Sequence, residues 1–219
     1  MTKETNHSNE TTQDLVNSLC ATHNGTVPLC CPYRRAAAML SLIVLYNVIV
    51  LKLDTYRPDL NFAVTNQALI FEIILAGVIA VASAVTTALL MVPNMYERKW
   101  MLPVSLMLLF TFGLWIVASF YVQNYEHYTI HFMGECFKDG IIYTSLPTFV
   151  VVLLTRNGAC THRYLMTLFS TVTVASVGWI SLRFICTVDN ASHIFIDHML
   201  PFTVIGVVLG LFSKKLFSW

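Results

Sequence analysis

Charged residues are scarce in this chain. Of its 219 residues, 13 are lysine or arginine and 12 are aspartate or glutamate, together 11%, whereas a soluble domain has roughly 25%. This scarcity excludes a disordered protein, a nucleic-acid binder with a basic face and an ordinary cytosolic enzyme. The sequence also lacks a phosphate-binding loop, a nucleotide fingerprint and a serine–histidine–aspartate arrangement. We therefore expect neither enzymatic activity nor direct contact with nucleic acid.

Long apolar runs are abundant instead. Hydrophobic residues make up 56% of the chain, and they form continuous runs rather than an alternating pattern, which favours spanning helices over a β-barrel. We expect an all-α integral membrane protein with six transmembrane helices in the lipid bilayer. The predicted spans are roughly 36–53, 68–92, 101–122, 141–155, 164–186 and 199–216. Residues 1–35 would form a polar tail, and residues 36–219 the six-helix domain.

The basic residues predict the orientation of these spans. With the N-terminus in the cytoplasm, nine of the thirteen lie on the cytoplasmic side, as the positive-inside rule requires. Those nine are Lys3, Arg34, Arg35, Arg98, Lys99, Arg156, Arg163, Lys214 and Lys215, and the other four are Lys52, Arg57, Lys138 and Arg183. Both termini are then cytoplasmic. Asn-x-Ser/Thr sequons occur in the tail at Asn6, Asn9 and Asn24, and a fourth is at Asn190. Glycans on the three tail sequons would favour an external tail, but a tail rich in Asn, Ser and Thr forms such triplets by chance.

The polar tail contains one short stretch with helical periodicity. Leu15 and Leu19 are four residues apart, as are Val16 and Cys20, so a narrow apolar stripe would form if this stretch became helical. An isolated helix of this length is marginal in water. We therefore expect the tail to fold on a partner protein, with Leu15, Val16 and Leu19 as its contact residues.

Thiols and imidazoles concentrate near the outer ends of the predicted spans. Cys136 is expected in the loop between spans three and four, and Cys186 at the outer end of span five. The outer loops also hold four histidines, His127, His131, His193 and His198. Thiolate and imidazole together suit zinc, copper or cadmium, and two outward cysteines can form a disulfide in an oxidising compartment. The chain has no CxxC or HExxH spacing, so side chains that merely bond loops or headgroups are the alternative.

Two charged residues fall inside the predicted spans. Glu72 lies early in span two and Arg183 late in span five, and an intramembrane charge is costly unless it meets a partner or water. We expect the two to form an ion pair that fixes helix packing. A proton or ion path is the alternative, but it needs a chain of polar groups across the membrane. Spans two and five supply only serine and threonine for that role, and such residues more often serve close helix packing.

Several short strings occur in a fixed order along the chain. They are Asp14-Leu-Val-x-x-Leu19 with Pro28 before Arg34-Arg35; Arg57-Pro58-Asp59-Leu60 and then Phe71-Glu72; Val92-Pro93 and Trp100-x-x-Pro103; Gly134-Glu135-Cys136, Leu146-Pro147-Thr148 and Arg156-Asn157-Gly158-Ala159; and Leu182 to Cys186 with His193 and His198. In this order they resemble the six-span anti-sigma factors of the NrsF type. These proteins are negative regulators of the extracytoplasmic-function sigma factor called sigma-F.

The resemblance implies a protein of the bacterial inner membrane that holds a sigma factor through its cytoplasmic tail. It also implies that two outward cysteines sense heavy-metal or oxidative stress, and Cys136 and Cys186 occupy those places. We expect no permanent cofactor, although a heavy-metal ion could bind transiently. Extra cysteines at positions 20, 30 and 31 depart from the family pattern. A thiol oxidoreductase, a metal or proton transporter and a structural membrane subunit remain the alternative functions.

Overall fold

A computed structural model describes residues 14, 17, 18, 31–92, 100–122, 134–156, 158 and 162–216. These residues form helices and include no strand. In chain order the elements are α1 Pro32–Leu53, α2 Leu60–Ala63, α3 Gln67–Leu90, α4 Met101–Val122, α5 Glu135–Thr155, α6 Arg163–Ile185, α7 Ala191–His193, a π-helical turn Ile194–Met199, and α8 Leu200–Leu216. Six helices are long and apolar enough to cross a membrane, the last being Ala191–Leu216 taken as one. The predicted all-α fold with six spanning helices is thus confirmed.

The chain divides into two compact units, Met1–Cys30 and Cys31–Trp219. In the first unit Asp14, Asn17 and Ser18 are helical and exposed. Leu15, Val16 and Leu19, the predicted partner contacts, lie outside the described residues, so their role stays a prediction.

Three spans begin four to eight residues earlier than predicted, at Pro32, Glu135 and Ala191, because their first turns contain polar residues and resemble loops in a search for apolar runs. α1 starts with Pro32 at its first position, where the missing N–H costs nothing. In the first turns of α5, Glu135 and Lys138 form an ion pair of 2.8 Å. Before α7, Asn190 caps the helix by accepting a hydrogen bond of 2.9 Å from the Ser192 backbone N–H.

These earlier starts correct the predicted places of three candidate site residues. Cys136 lies in the first turn of α5 and not in the loop between spans three and four. His193 ends α7 and His198 lies in the π-helical turn, so neither belongs to an outer loop. All three side chains are therefore held by helical backbone, which fixes their directions more firmly than a loop would.

α6 is the central helix of the second unit. It packs against α1, α3, α5 and α8, whereas α4 packs along α3. Of the most apolar stretch of α6, 72% is buried inside the protein, the highest share of the six spans. A displacement of α6 would therefore change its packing contacts with four of the other five spans.

Small and hydroxyl side chains hold the spans together. Ala80, Ala84 and Ala88 are buried at intervals of four on α3, and they pack in one cluster with the buried residues of α1. Hydroxyl bonds join neighbouring spans: Thr86 with Ser105 at 2.8 Å, Thr173 with Ser83 at 3.1 Å, and Ser181 with Asn47 at 2.9 Å. Small residues permit close approach of helices in lipid, and hydroxyl bonds add to it. The serine and threonine residues of these spans thus serve packing, as the sequence predicts.

The two ends of the helix bundle differ in chemistry. At the end where α1, α4 and α6 begin, here called the basic end, lie Arg34, Arg35, Arg156, Arg163, Lys214 and Lys215. At the opposite end, here called the thiol end, α3, α5 and α7 begin and both Cys136 and Cys186 are found. A backbone hydrogen bond of 3.1 Å from the Arg57 N–H to the Phe184 carbonyl ties the loop after α1 to the end of α6.

The contact between α6 and α5 requires a residue without a Cβ at position 178. A Cβ on Gly178 would lie 3.0 Å from Thr144 Cγ2. We expect Gly178→Val to lower the free energy of unfolding by about 1–3 kcal/mol because it overpacks this contact. Gly113→Val on α4 is the matched control, since nothing lies within 4 Å of its added Cβ. Denaturant unfolding in detergent micelles measures both, and equal losses would contradict the close contact.

Candidate functional site: a thiol–imidazole cluster beside a buried ion network

Two thiols and two imidazoles meet at the thiol end. Cys136 Sγ lies 3.3 Å from Cys186 Sγ, and Cys186 Sγ lies 3.2 Å from His193 Nε2. With His198 included, the four possible ligand atoms all lie within 4.8 Å of one another. Cys136 is half-buried and the other three residues are buried. We call these four residues the sensor cluster, after the sensing role that the sequence resemblance implies for the two cysteines.

The π-helical turn brings the two histidines of the cluster together. Residues five apart are separated by about 140° around an α-helix, whereas a π-helix closes its turn over five residues. Here the rings of His193 and His198 have centroids 5.2 Å apart. Pro201 accounts for the irregular turn, because it lacks an N–H and its ring would clash with the Asp197 carbonyl in a regular α-helix. A search for residues three or four apart, the spacing of one α-helical face, does not detect a pair that is five apart.

The two imidazoles have different surroundings. Asp197 Oδ2 lies 2.8 Å from His193 Nδ1, while the Nε2 of the same ring faces Cys186. A carboxylate in this place fixes the ring's tautomer and direction, as in many metal sites. His198 is fully buried, and one of its ring nitrogens lies within 4.8 Å of the Cys186 sulfur. Burial of an imidazole is costly unless its nitrogens meet partners, so a ligand bound here would be stabilising.

Cys186 follows the end of α6 and is the more acidic thiol. The hydrogen bond from the Cys136 thiol lowers the pKa of Cys186, and the neighbouring imidazoles of His193 and His198 lower it further against the opposing effect of burial. The thiolate is the form of cysteine that binds metals and exchanges disulfides. The cluster therefore presents one sulfur in its reactive form.

The predicted intramembrane pair is present beside the cluster. Arg183 Nε lies 3.1 Å from Glu72 Oε1, with the two side chains 5% and 7% exposed. Trp179 Nε1 donates a hydrogen bond of 2.6 Å to the same carboxylate oxygen. The Trp179 ring also meets His198 edge-on, with centroids 5.7 Å apart. One indole thus contacts both the ion pair and the sensor cluster.

The pair belongs to a larger ion network that sequence analysis did not predict. Arg183 Nη1 lies 2.9 Å from Asp189, and Arg57 Nη2 bridges Asp189 at 2.9 Å and Asp59 at 2.8 Å. Burial would raise the pKa of Asp189, but the hydrogen bond from Arg57 and the charges of both arginines hold that pKa below its ordinary value. The hydrogen bond from Arg57 likewise lowers the pKa of Asp59. These carboxylates are therefore ionised partners of the two arginines.

A family model described as NrsF, negative regulator of sigma F, matches residues 19–219. The chain belongs to the NrsF family. Its role is thus the negative regulation of a sigma factor, which makes a sigma factor its partner, and the predicted resemblance is confirmed. The match begins at Leu19, so Leu15 and Val16 precede it. Neither the curated proteins nor the solved structures include a match to this chain.

In this NrsF-family protein the sensor cluster permits two kinds of chemistry. Two sulfurs and two imidazole nitrogens are the ligand set of a tetrahedral Cys₂His₂ site, which suits zinc and soft metals. Alternatively, the two sulfurs in contact could close to the bond length of about 2.05 Å of a disulfide. The two outcomes exclude each other because both use the same sulfurs. His127 and His131, predicted as further ligands, lie outside the described residues.

Removing Arg183 from this NrsF-family protein would leave the buried Glu72 carboxylate without its cation. We expect Arg183→Met to lower the free energy of unfolding by about 3–5 kcal/mol, and the double variant with Glu72→Leu to recover most of that loss. Lys138→Met is the matched control because its ion pair with Glu135 is exposed, at 60% and 83%, and should change stability by at most about 1 kcal/mol. Denaturant unfolding in micelles measures all three, and equal effects at positions 183 and 138 would refute a structural role of the pair.

Proposed function

We propose that this chain is an anti-sigma factor of the bacterial inner membrane. It sequesters an extracytoplasmic-function sigma factor through its N-terminal tail. It releases the sigma factor when the sensor cluster binds a heavy-metal ion or is oxidised. The observation that carries this proposal is the meeting of Cys136, Cys186, His193 and His198 at one end of the helix bundle. A regulator of this kind holds and releases a protein and needs no catalysis.

Charge supports a cytoplasmic tail and a periplasmic sensor cluster. The basic end carries arginine and lysine next to the span ends, which is the arrangement of cytoplasmic faces. At the thiol end, Arg57, Lys138 and Arg183 are each bonded to a carboxylate. With the basic end in the cytoplasm, the cluster faces an oxidising compartment through which external metal ions and oxidants pass.

The sensor cluster suits a metal ion of soft or borderline character. Zinc bonds are about 2.3 Å to sulfur and about 2.0–2.1 Å to nitrogen, and ligand atoms within 4.8 Å of one another need only small movements to meet one ion. Asp197 supplies the outer carboxylate that directs His193. In the oxidative branch, the Cys136 thiol and the Cys186 thiolate would form one disulfide, release one proton and give two electrons to an oxidant from the periplasm.

A change at the sensor cluster reaches α1, the span that follows the tail in the chain. The cluster joins the start of α5, the end of α6 and the turn before α8. α1 is fastened to these helices by the Ser181–Asn47 hydrogen bond of 2.9 Å and by a bond of 3.2 Å from the Tyr143 hydroxyl to Asp54. Release requires that the signal bind one packing state better than the other, by about 5.5 kcal/mol for a complete switch.

In this proposal the tail is the part of the chain that binds the sigma factor and represses its activity. Deleting residues 1–28 should switch on a sigma-dependent reporter without stress, because the predicted stripe of Leu15, Val16 and Leu19 is lost. Replacing residues 2–12, which precede that stripe, with a Gly/Ser segment is the matched control and should keep repression. Immunoblotting of membrane fractions checks that each variant is present. Unchanged reporter output in the deletion would sink the proposed role of the tail.

The sensor cluster carries the response in this proposal. Cys136→Ser and Cys186→Ser should keep repression but abolish the reporter response to cadmium, because each removes a sulfur ligand. His198→Gln should weaken the cadmium response by at least about 10–100-fold, because it removes an imidazole ligand and loss of even an outer partner of a ligand costs that much, while leaving a response through the disulfide intact. Cys31→Ser is the matched control, since Cys31 is exposed and lies at the opposite end of α1.

Three measurements on the purified chain separate metal binding, oxidation to a disulfide and enzymatic thiol exchange. Equilibrium dialysis should find one cadmium ion per chain, and the two cluster serine variants should lose it. Mass spectrometry after mild oxidation reports a Cys136–Cys186 disulfide as the loss of two hydrogens. Turnover of added thiol substrates through that disulfide would favour the alternative of a membrane thiol oxidoreductase. An equal loss of response in Cys31→Ser and Cys136→Ser would contradict the assignment of the sensor.

A further inference from the structure

A groove of about 440 Å³ runs along α6. Its floor is α6, and its walls include Leu109 and Phe112 of α4 and Gly206 and Gly210 of α8. α4 packs along α3 and α8 packs on α5 and α6, but α4 and α8 do not pack along one another. Within the described part of the chain the groove is therefore flanked by two spans and open between them.

The groove is apolar even where its lining residues carry hydroxyl groups. Thr167, Thr171 and Thr203 each donate their hydroxyl to the backbone carbonyl four residues earlier, at 2.9 Å. Their methyl groups are left to face neighbouring side chains. Because these hydroxyl protons are already used within the helices and most of the other lining side chains are apolar, the groove suits a hydrocarbon.

The groove is longer than one leaflet of a bilayer is thick. Its lining extends along α6 from Tyr164 to Trp179, which is about 22 Å at the rise of an α-helix. The hydrocarbon core of a bilayer is about 30 Å thick, so one leaflet accounts for about half of that. A chain that enters at the basic end would pass the bilayer midplane and reach the neighbourhood of Trp179.

Glycine at position 210 keeps the entrance of the groove open. A Cβ added at Gly206 would lie 3.1 Å from Thr171 Cγ2, which shows that α8 is packed closely on α6 there. One turn further, nothing lies within 4 Å of a Cβ added at Gly210. Two glycines four apart normally permit close packing along a whole helix face, but here the second faces the groove.

The entrance lies beside basic residues for which the described part of the chain records no ion pair. Arg163 precedes Tyr164 on α6, and its guanidinium carbon lies 5.2 Å from the centre of the Tyr164 ring. Arg163 Nε is buried and makes no hydrogen bond within the described residues. Lys214 follows Gly210 by four residues and thus lies on the same face of α8. Basic residues between spans on the cytoplasmic side of a membrane commonly bind anionic lipid headgroups.

We propose that the groove is a binding site for one anionic phospholipid. An acyl chain occupies the apolar groove, and the phosphate accepts hydrogen bonds at Arg163 and Lys214. The end of the chain packs near Trp179. This site ends at Trp179, whose ring contacts His198 of the sensor cluster, and its occupation does not depend on a sigma factor.

Native mass spectrometry of the full-length chain tests the proposal. After exchange into detergent with phosphatidylglycerol or phosphatidylcholine, the chain should retain one phosphatidylglycerol. Gly210→Leu should lower the retained fraction by at least about tenfold because its side chain fills the entrance. Gly77→Leu is the matched control, since position 77 also has nothing within 4 Å of an added Cβ but does not line the groove. Equal retention in the two variants would overturn the proposal.

Two further variants make the test independent of any misfolding of Gly210→Leu. Arg163→Gln leaves the groove unchanged and should abolish the preference for phosphatidylglycerol over phosphatidylcholine; an unaltered preference would refute the headgroup assignment. A chain with Trp179 as its one tryptophan reports the position of the bound lipid. Phosphatidylglycerol brominated near the chain ends should quench it in the parent and less in Gly210→Leu, and quenching that is the same in both would place the lipid elsewhere.

Discussion

The ion pair between Arg183 and Glu72 constrains the whole thiol end of the bundle. Two charges that are nearly inaccessible to solvent are tolerated only while they remain paired. Arg183 comes from α6, the most buried span, and Glu72 from the first turns of α3. The depth and rotation of these two helices are therefore set relative to each other. Trp179 occupies the remaining side of the carboxylate, so the indole is held in place by the same pair.

The sensor cluster depends on the backbone that this ion network supports. Asp189 lies between the network and the start of α7, and it bonds both Arg183 and Arg57. That arrangement fixes the short segment from Cys186 to Asn190, after which the helix restarts. The π-helical turn forced by Pro201 then rotates His198 toward the thiols. The π-helical turn costs some backbone stability. It persists because the ion pairs of Asp189, the Asn190 cap and the packing of the neighbouring helices hold the chain on either side of it.

Sequence patterns predicted features that depend on local composition. Hydropathy located six spans, and the rarity of an intramembrane charge singled out Glu72 and Arg183 as partners. The starts of α5 and of the last span were missed because their first turns are polar. The Arg57–Asp189 pair joins residues 132 positions apart, and no periodicity reports such a contact. The sequence predicted that cysteines and histidines would lie on one side of the membrane. It did not predict how His193 and His198 come together, because that depends on a π-helical turn and not on α-helical spacing.

The sensor cluster lies directly beside α6, the central helix. Cys186 follows α6 directly, and His198 contacts Trp179 of the same helix. Because α6 packs against α1, α3, α5 and α8, a change in its position cannot be confined to the thiol end. Close-packed interiors respond to such a change by shifting between discrete arrangements rather than by yielding gradually. A disulfide would draw the two sulfurs from 3.3 Å to about 2.05 Å, whereas a tetrahedral metal ion with bonds of about 2.3 Å would hold them about 3.8 Å apart. Metal binding and oxidation would therefore act on the same two sulfurs, beside the end of α6, but displace them in opposite directions.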